Sequence, residues 1–430
     1  MLALELHTRD IPAIYKRFSR EIGERSWIKH VSLMKEEIKG NPLLESYHYQ
    51  DSAIAFQLVH LCELQQRFGG FAATAYNDHH LYQAASFAIQ VLSVIDASSP
   101  VFVDRFRARV SDCIGSNPAD LRALELELRT ATHFLRAGRK VTWPEMSCQD
   151  VEGKRLCDLL VEDLGPLGLE LECKSFAEDT GRKITRREAR EFFWLVRSNH
   201  WKKLRPGTKG VAMTITVNRK LPTAYKDRIA LAQLVASQAV LGQTGALESG
   251  DVKVQTHCFD PLPLSVELHR NGGKPDQLRG TLEKLTGTVN RETVVLSTEA
   301  GGALIMAIQS KEDDSLMDNV VRTLKGSASA QFTGKRAGMM VAGFQGLSSE
   351  QLLDIAKQDH DSGAAPTTLR LHASRFLGSK NRDHIVGAVF LSSSSLRPAL
   401  VGIQDSGGTA YNFPKRESPF WSNDFSGLFG

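Results

Sequence analysis

The sequence predicts an α/β protein on a mixed central sheet, with an all-helical module before it and a second α/β module after it. Three observations predict this. Apolar residues recur at helical spacing through the first part of the chain, as in Ile14, Phe18, Ile22, Trp27, Val31, Met34 and Ile38. From Pro118 the order becomes helix, three strands, helix, strand, helix, strand, a layered arrangement. A Pro/Gly-bearing stretch from Asp260 to Pro275 then separates a further alternation of strands and helices. The expected boundaries are 1–117, 118–260 and 285–430.

In the first module, one helical pattern runs from Ile11 to Lys39. A second runs from Ser52 to Phe68, with Gly69-Gly70 as its stop signal. The stretch from Asp78 to Ile95 is apolar on more than one face and reads as buried. Asn117-Pro118 opens a helix that reaches Ala137 and stops at Gly138, with Pro inside its start and Gly beyond its end. A short strand, Lys140 to Trp143, is closed by Pro144. Two strands joined by a Gly/Pro turn follow between Leu156 and Lys174. A basic amphipathic helix is expected from Thr185 to Arg197, then a strand over Gly210–Val217, a helix from Pro222 to Gly242, and a strand over Val252–Cys258. Beyond the linker, strands are expected at Thr293–Leu296, Ala303–Ile308, Gly338–Phe344 and Ile385–Leu391, and helices at Leu316–Phe332 and Ser349–Lys357. The aromatic residues after Ser418 suggest a tail that docks.

Composition excludes some classes. A net charge of +4 over 430 residues does not argue for nucleic acid by itself, so local clustering must carry such an argument. The six cysteines contain no CxxC pair, which favours buried thiols in a reducing compartment over a disulfide framework. There is no apolar run long enough to span a membrane and no signal-peptide pattern at the N-terminus, so a cytoplasmic protein with no membrane partner is expected.

The chemistry concentrates on the two strands between Leu156 and Lys174. Asp158 stands near the start of the first, Glu172 and Lys174 near the end of the second. Residues two apart on a strand share a face, so Glu172 and Lys174 point one way and Leu171 and Cys173 the other. Charges at the end of an apolar strand are costly to bury without a purpose. A carboxylate on the neighbouring strand completes a set able to hold a divalent cation beside a lysine. Asp158 followed by Glu172-Cys173-Lys174 resembles the motif of the PD-(D/E)xK nuclease superfamily, with Glu127 on the preceding helix as the matching fourth residue. Cys157 stands where that motif has proline. The order α-β-β-β-α-β resembles the core of this restriction-endonuclease-like fold, over roughly residues 120 to 220.

The resemblance implies that Asp158, Glu172 and Glu127 serve one or two Mg²⁺ ions, with Mn²⁺ able to substitute. It also implies that Lys174 orients or deprotonates water and stabilises charge at the phosphate. Between Lys174 and Arg205 ten Lys/Arg face four acids, a local charge of +6, so phosphate contact is expected at Arg182, Lys183, Arg186, Arg187 and Arg190. The expected function is a metal-dependent nuclease acting on DNA more than RNA, in DNA processing or defence against foreign DNA. The N- or C-terminal module would supply a homo-oligomer or protein contact. The rival reading is a non-catalytic nucleic-acid- or protein-binding protein on a nuclease-like scaffold. Asp78-His79-His80 reads as a cap or surface feature rather than a metal site, since adjacent helical histidines diverge. Gly334-Lys335 lacks the upstream glycine of a phosphate loop.

Overall fold

Gly23, with φ at 85°, breaks the first helical pattern into α1 (Ile11–Ile22) and α2 (Arg25–Gly40). α3 (Glu45–Asp51) and α4 (Ala53–Phe68) follow, and α4 ends as expected at Gly69. α5 (Tyr82–Ala97) is buried along most of its length, as its all-round apolar pattern requires. α6 is Pro100–Gly115 and α7 is Pro118–Arg136, which is capped by the Asn117 side chain on the Ala119 N–H. The computed structural model describes residues 5–69, 81–147, 156–239, 245–264, 275–287, 292–393, 395–400 and 403–429. Asp78, His79 and His80 lie outside the described residues.

The strands are β1 (Glu5–His7), β2 (Val141–Thr142), β3 (Leu159–Val161), β4 (Leu169–Phe176), β5 (Gly210–Val217), β6 (Gly245–Ser249) and β7 (Val252–Phe259). They continue with β8 (Glu292–Ser297), β9 (Ala303–Ser310), β10 (Ala337–Phe344), β11 (Ile385–Leu391), β12 (Ser395–Leu400), β13 (Ile403–Gly407) and β14 (Ala410–Pro414). After α7 the helices are α8 (Pro144–Ser147), α9 (Arg186–Leu204), α10 (Tyr225–Gln238), α11 (Pro275–Thr286), α12 (Leu316–Ala330), α13 (Ser349–His360) and α14 (Thr368–Leu377).

The protein is a mixed α/β chain with a helical N-terminal part, and it divides into two units. The first holds Met1–Lys35, Tyr49–Thr180 and Leu316–Gly430, and the second holds Glu36–His48 and Gly181–Ser315. This differs from the three consecutive modules read from the sequence. Of the strands expected in a separate C-terminal module, Gly338–Phe344 and Ile385–Leu391 extend the sheet that begins at β2, while Thr293–Leu296 and Ala303–Ile308 join the sheet of the second unit.

In the first unit that sheet has the order β14-β11-β10-β4-β3-β2. β3 is antiparallel to both β2 and β4, β4 is parallel to β10, β10 is parallel to β11, and β14 is antiparallel to β11. The helix and strand after β4 in this sheet are therefore α12 and β10. The sequence assigned those places to the helix after Thr185 and the strand at Gly210–Val217. One face packs Phe176, Met340, Ala342, Phe344 and Phe390 against α12, α13 and α14. On the other face α7 lies close: Cys173 Sγ is 3.8 Å from Thr130 Oγ1, and a Cβ at Gly343 would meet Leu126 at 2.9 Å. The C-terminal tail docks, as its aromatics suggest: Phe429 stacks on His133 at 5.2 Å, and His133 Nε2 donates to the Leu428 carbonyl at 2.6 Å.

The second unit carries the sheet β6-β7-β5-β9-β8, antiparallel except for β5 and β9. Its core packs Phe192, Phe193 and Val196 of α9 with Val211, Met213 and Ile215 of β5 and Leu304, Met306 and Ile308 of β9. α9 starts at a complete capping box, Thr185 with Glu188.

Candidate active site

β4 carries three charged residues on one face, Glu170, Glu172 and Lys174, because strand side chains alternate. They meet different environments. Glu170 is satisfied by the loop before β10: its carboxylate accepts from the Thr333 N–H at 3.0 Å and from the Thr333 hydroxyl at 2.5 Å. Glu172 is 0% exposed, and neither carboxylate oxygen has a hydrogen-bond partner among the described residues. Its one close cation is Lys174, whose Nζ lies 2.6 Å from Oε1 at ion-pair distance but without hydrogen-bond alignment. A buried carboxylate left in this condition is expensive.

Asp158 meets this pair from the neighbouring strand. β3 and β4 pair Leu160 with Glu170 and Leu159 with Leu171. Carried one residue further, that register sets Asp158 opposite Glu172. Asp158 is held there by a short bond: Oδ2 accepts from the Cys173 N–H at 2.7 Å. The sequence thus places Asp158, Glu172 and Lys174 together, and the structure does the same.

Their electrostatics form one network. Burial and the Asp158 charge push the Glu172 carboxyl up to about 8, and the Lys174 ammonium offsets this only partly. Burial likewise raises Asp158, against the pull of Lys174 and the Cys173 N–H. Burial alone would lower Lys174, but the Glu172 and Asp158 carboxylates outweigh it and hold the ammonium above its ordinary value. Lys174 is therefore a standing positive charge.

Glu127 comes from α7 and is almost fully buried. Arg109 on α6 donates to its Oε1 at 2.7 Å, while Oε2 has no partner. Burial raises the Glu127 carboxyl to about 7; Arg109 opposes this and Asp158 adds to it. Glu125, two residues earlier, is engaged elsewhere, with Arg129 and Gln83 as its neighbours.

Two members of this network were not read from the sequence. Glu145, on the short helix α8, is raised by partial burial of its carboxyl and by Asp158, and lowered by Arg109 and Lys174. It directly follows Pro144, where only a strand end was read. Arg109 had a visible signal. It continues the apolar stripe of Phe102, Phe106 and Val110 on α6, where an unpaired charge would be costly.

The chemistry of the donor set suits a hard divalent cation. Mg²⁺ binds through one or two carboxylates and completes its octahedron with water and phosphate oxygens. Asp158 and Glu172, whose Oε2 has no partner among the described residues, fit that requirement. Among the described residues no three His, Cys, Asp or Glu side chains group closely enough to enclose an ion by themselves.

The cations at the start of α9 lie in the second unit and are engaged there. Lys183 pairs with Glu312 at 3.0 Å, and Arg187 with Glu191 at 2.9 Å and Glu37 at 3.3 Å. Arg190 binds Glu292 at 2.5 Å and the Leu43 carbonyl at 2.9 Å, and Arg186 lies 3.8 Å from Glu292. Arg182 also has an interaction partner. Five cysteines, Cys62, Cys113, Cys157, Cys173 and Cys258, are free thiols. No helix among the described residues is long and apolar enough to cross a membrane. Compared with protein-family models, curated proteins and solved structures, the chain matches none.

Proposed function

We propose that this chain is a metal-dependent nuclease of restriction-endonuclease-like fold, hydrolysing phosphodiester bonds of DNA. The observation that carries the reading is the meeting of Asp158, Glu172 and Lys174 at the β3–β4 junction, with Glu172 buried and paired only with the Lys174 ammonium among the described residues. The chain order supports it. α7, the antiparallel β2–β3–β4, then α12 and β10 parallel to β4, follow the α-β-β-β-α-β order of that fold, with Gly181–Ser315 inserted after β4.

In this reading Asp158 and Glu172 hold Mg²⁺ or Mn²⁺. Once bound, such an ion lowers the pKa of a coordinated water and neutralises charge on the phosphate. The protein's own groups do the rest. Lys174, held protonated, orients the attacking water and balances charge building on the phosphoryl oxygens. Glu127, clamped by Arg109, and Glu145 are outer carboxylates that add negative charge beside Asp158, which favours a cation there. A role in DNA processing or defence against foreign DNA belongs to the same proposal.

The test is cleavage of linear, circular and single-stranded DNA by purified protein with Mg²⁺ or Mn²⁺, beside Asp158→Ala and Lys174→Ala. Wild type is expected to cut and each variant to lose at least about a hundredfold. Equal cutting by all three would sink the assignment.

A further inference from the structure

The basic segment has a second half in which the charges are not engaged. From Trp194 to Lys209 there are five cations (Arg197, Lys202, Lys203, Arg205 and Lys209) and no acid. Among the described residues none of Arg197, Lys202, Lys203 and Arg205 has a carboxylate partner, in contrast to Arg186, Arg187 and Arg190 a few residues earlier. The cations are interleaved with two indoles. Arg197 lies over the Trp194 ring at 5.2 Å and over the Trp201 ring at 5.7 Å. Positions 194, 197 and 201 fall on one side of the helix, flanking the stripe of buried Ala189, Phe192, Phe193 and Val196. Both residues are half-buried, Trp201 with part of its side chain packed against the core, and they stand two turns apart, about 10 Å along the axis.

We infer that this face of α9 is a binding platform for single-stranded nucleic acid. Bases stack on Trp194 and Trp201, and phosphates meet Lys202 and Arg205 at the C-terminal end of the helix. Every base has a π-face, so two indoles flanking a guanidinium accept unstacked bases of any sequence. A duplex keeps its bases stacked inside and offers this face only its phosphates. An acidic polypeptide satisfies the cations and leaves the indoles unused. This choice of substrate strand rests on the nucleic-acid reading above but not on catalysis.

The experiment uses full-length Asp158→Asn protein in chelator, so that cleavage cannot intervene. Anisotropy of a short labelled single strand is compared with its duplex and with polyglutamate. The single strand is expected to bind at least about tenfold tighter than either. Trp194→Ala should weaken it about tenfold, and Trp194→Phe should restore most of that. Lys202→Ala with Arg205→Ala should lower the salt slope by about 1.4, at roughly 0.7 for each phosphate contact on a single strand. Trp194→Ala binding like its parent, or duplex or polyglutamate binding as tightly as the single strand, overturns the inference. Absence of cleavage by wild type alongside the expected binding pattern would remove the nuclease reading and leave the platform standing.

Discussion

Replacing Glu172 by Gln should stabilise the metal-free protein at alkaline pH and not at acid pH. Burial and Asp158 raise the folded-state carboxyl from 4.5 to about 8. Between those values the folded protein keeps a proton that the unfolded chain has released, so raising the pH favours unfolding. The contribution of Glu172 is intact below 4.5 and is lost as pH passes through 8. At about 1.4 kcal/mol per pH unit, the full span is on the order of 5 kcal/mol. Glu127, raised to about 7, adds a loss of the same sign, and Lys174, held charged by its carboxylate neighbours, titrates above this window. The assay is thermal or urea unfolding of wild type and Glu172→Gln in chelator, from about pH 5 to about pH 8.5. The stability difference between the two should grow from near zero to several kcal/mol in favour of the variant. Millimolar Mg²⁺ should close the gap by stabilising wild type alone, since a ligand that binds only the folded state stabilises it. A difference that stays constant with pH would refute the argument that Glu172 is buried against its charge.

Two further changes test the surroundings. Arg109→Leu removes the partner of buried Glu127 and should cost about 3–5 kcal/mol above pH 7, less at pH 5 where Glu127 takes a proton. Adding Glu127→Gln should recover most of that, which a double-mutant cycle measures. Gly165, at φ 75°, would bring a Cβ within 2.7 Å of the Phe425 ring. Gly165→Ala should therefore cost about 1–3 kcal/mol and loosen the tail after Ser418, read as faster amide exchange at Phe425 and Phe429.

The site was legible because strand alternation and hairpin register are local. Glu172 and Lys174 share a face by periodicity, and one turn brings Asp158 to Glu172. Glu170 shows the limit of such reading. It lies on the same face, two residues from Glu172, yet Thr333 satisfies it from a loop far along the chain. The same limit applies to Arg109 and Glu145, which reach the network only through packing of α6 and α8. Charge counting overreached at α9: Arg187 and Arg190 look available in sequence, but Glu37 and Glu292 neutralise them from distant segments.

The sheet order was misassigned for a more specific reason. After β4 the sequence continues with a well-capped helix, α9, and a mostly apolar, wholly buried strand, β5, which are what an α-β-β-β-α-β core would require next. They open the second unit instead. The ends of its long segment, Gly181–Ser315, meet, since the Ser315 N–H donates to the Gly181 carbonyl at 2.9 Å and Asp314 accepts from the Lys183 N–H at 2.8 Å. A segment whose ends meet costs the host little to accommodate. Leu316 then resumes the interrupted pattern with α12, and β10 runs beside β4 with Met340 next to Glu172 and Ala342 next to Lys174. Local periodicity identifies both helix–strand pairs equally well. What distinguishes them is which strand hydrogen-bonds to β4, a long-range pairing that no window of the sequence contains.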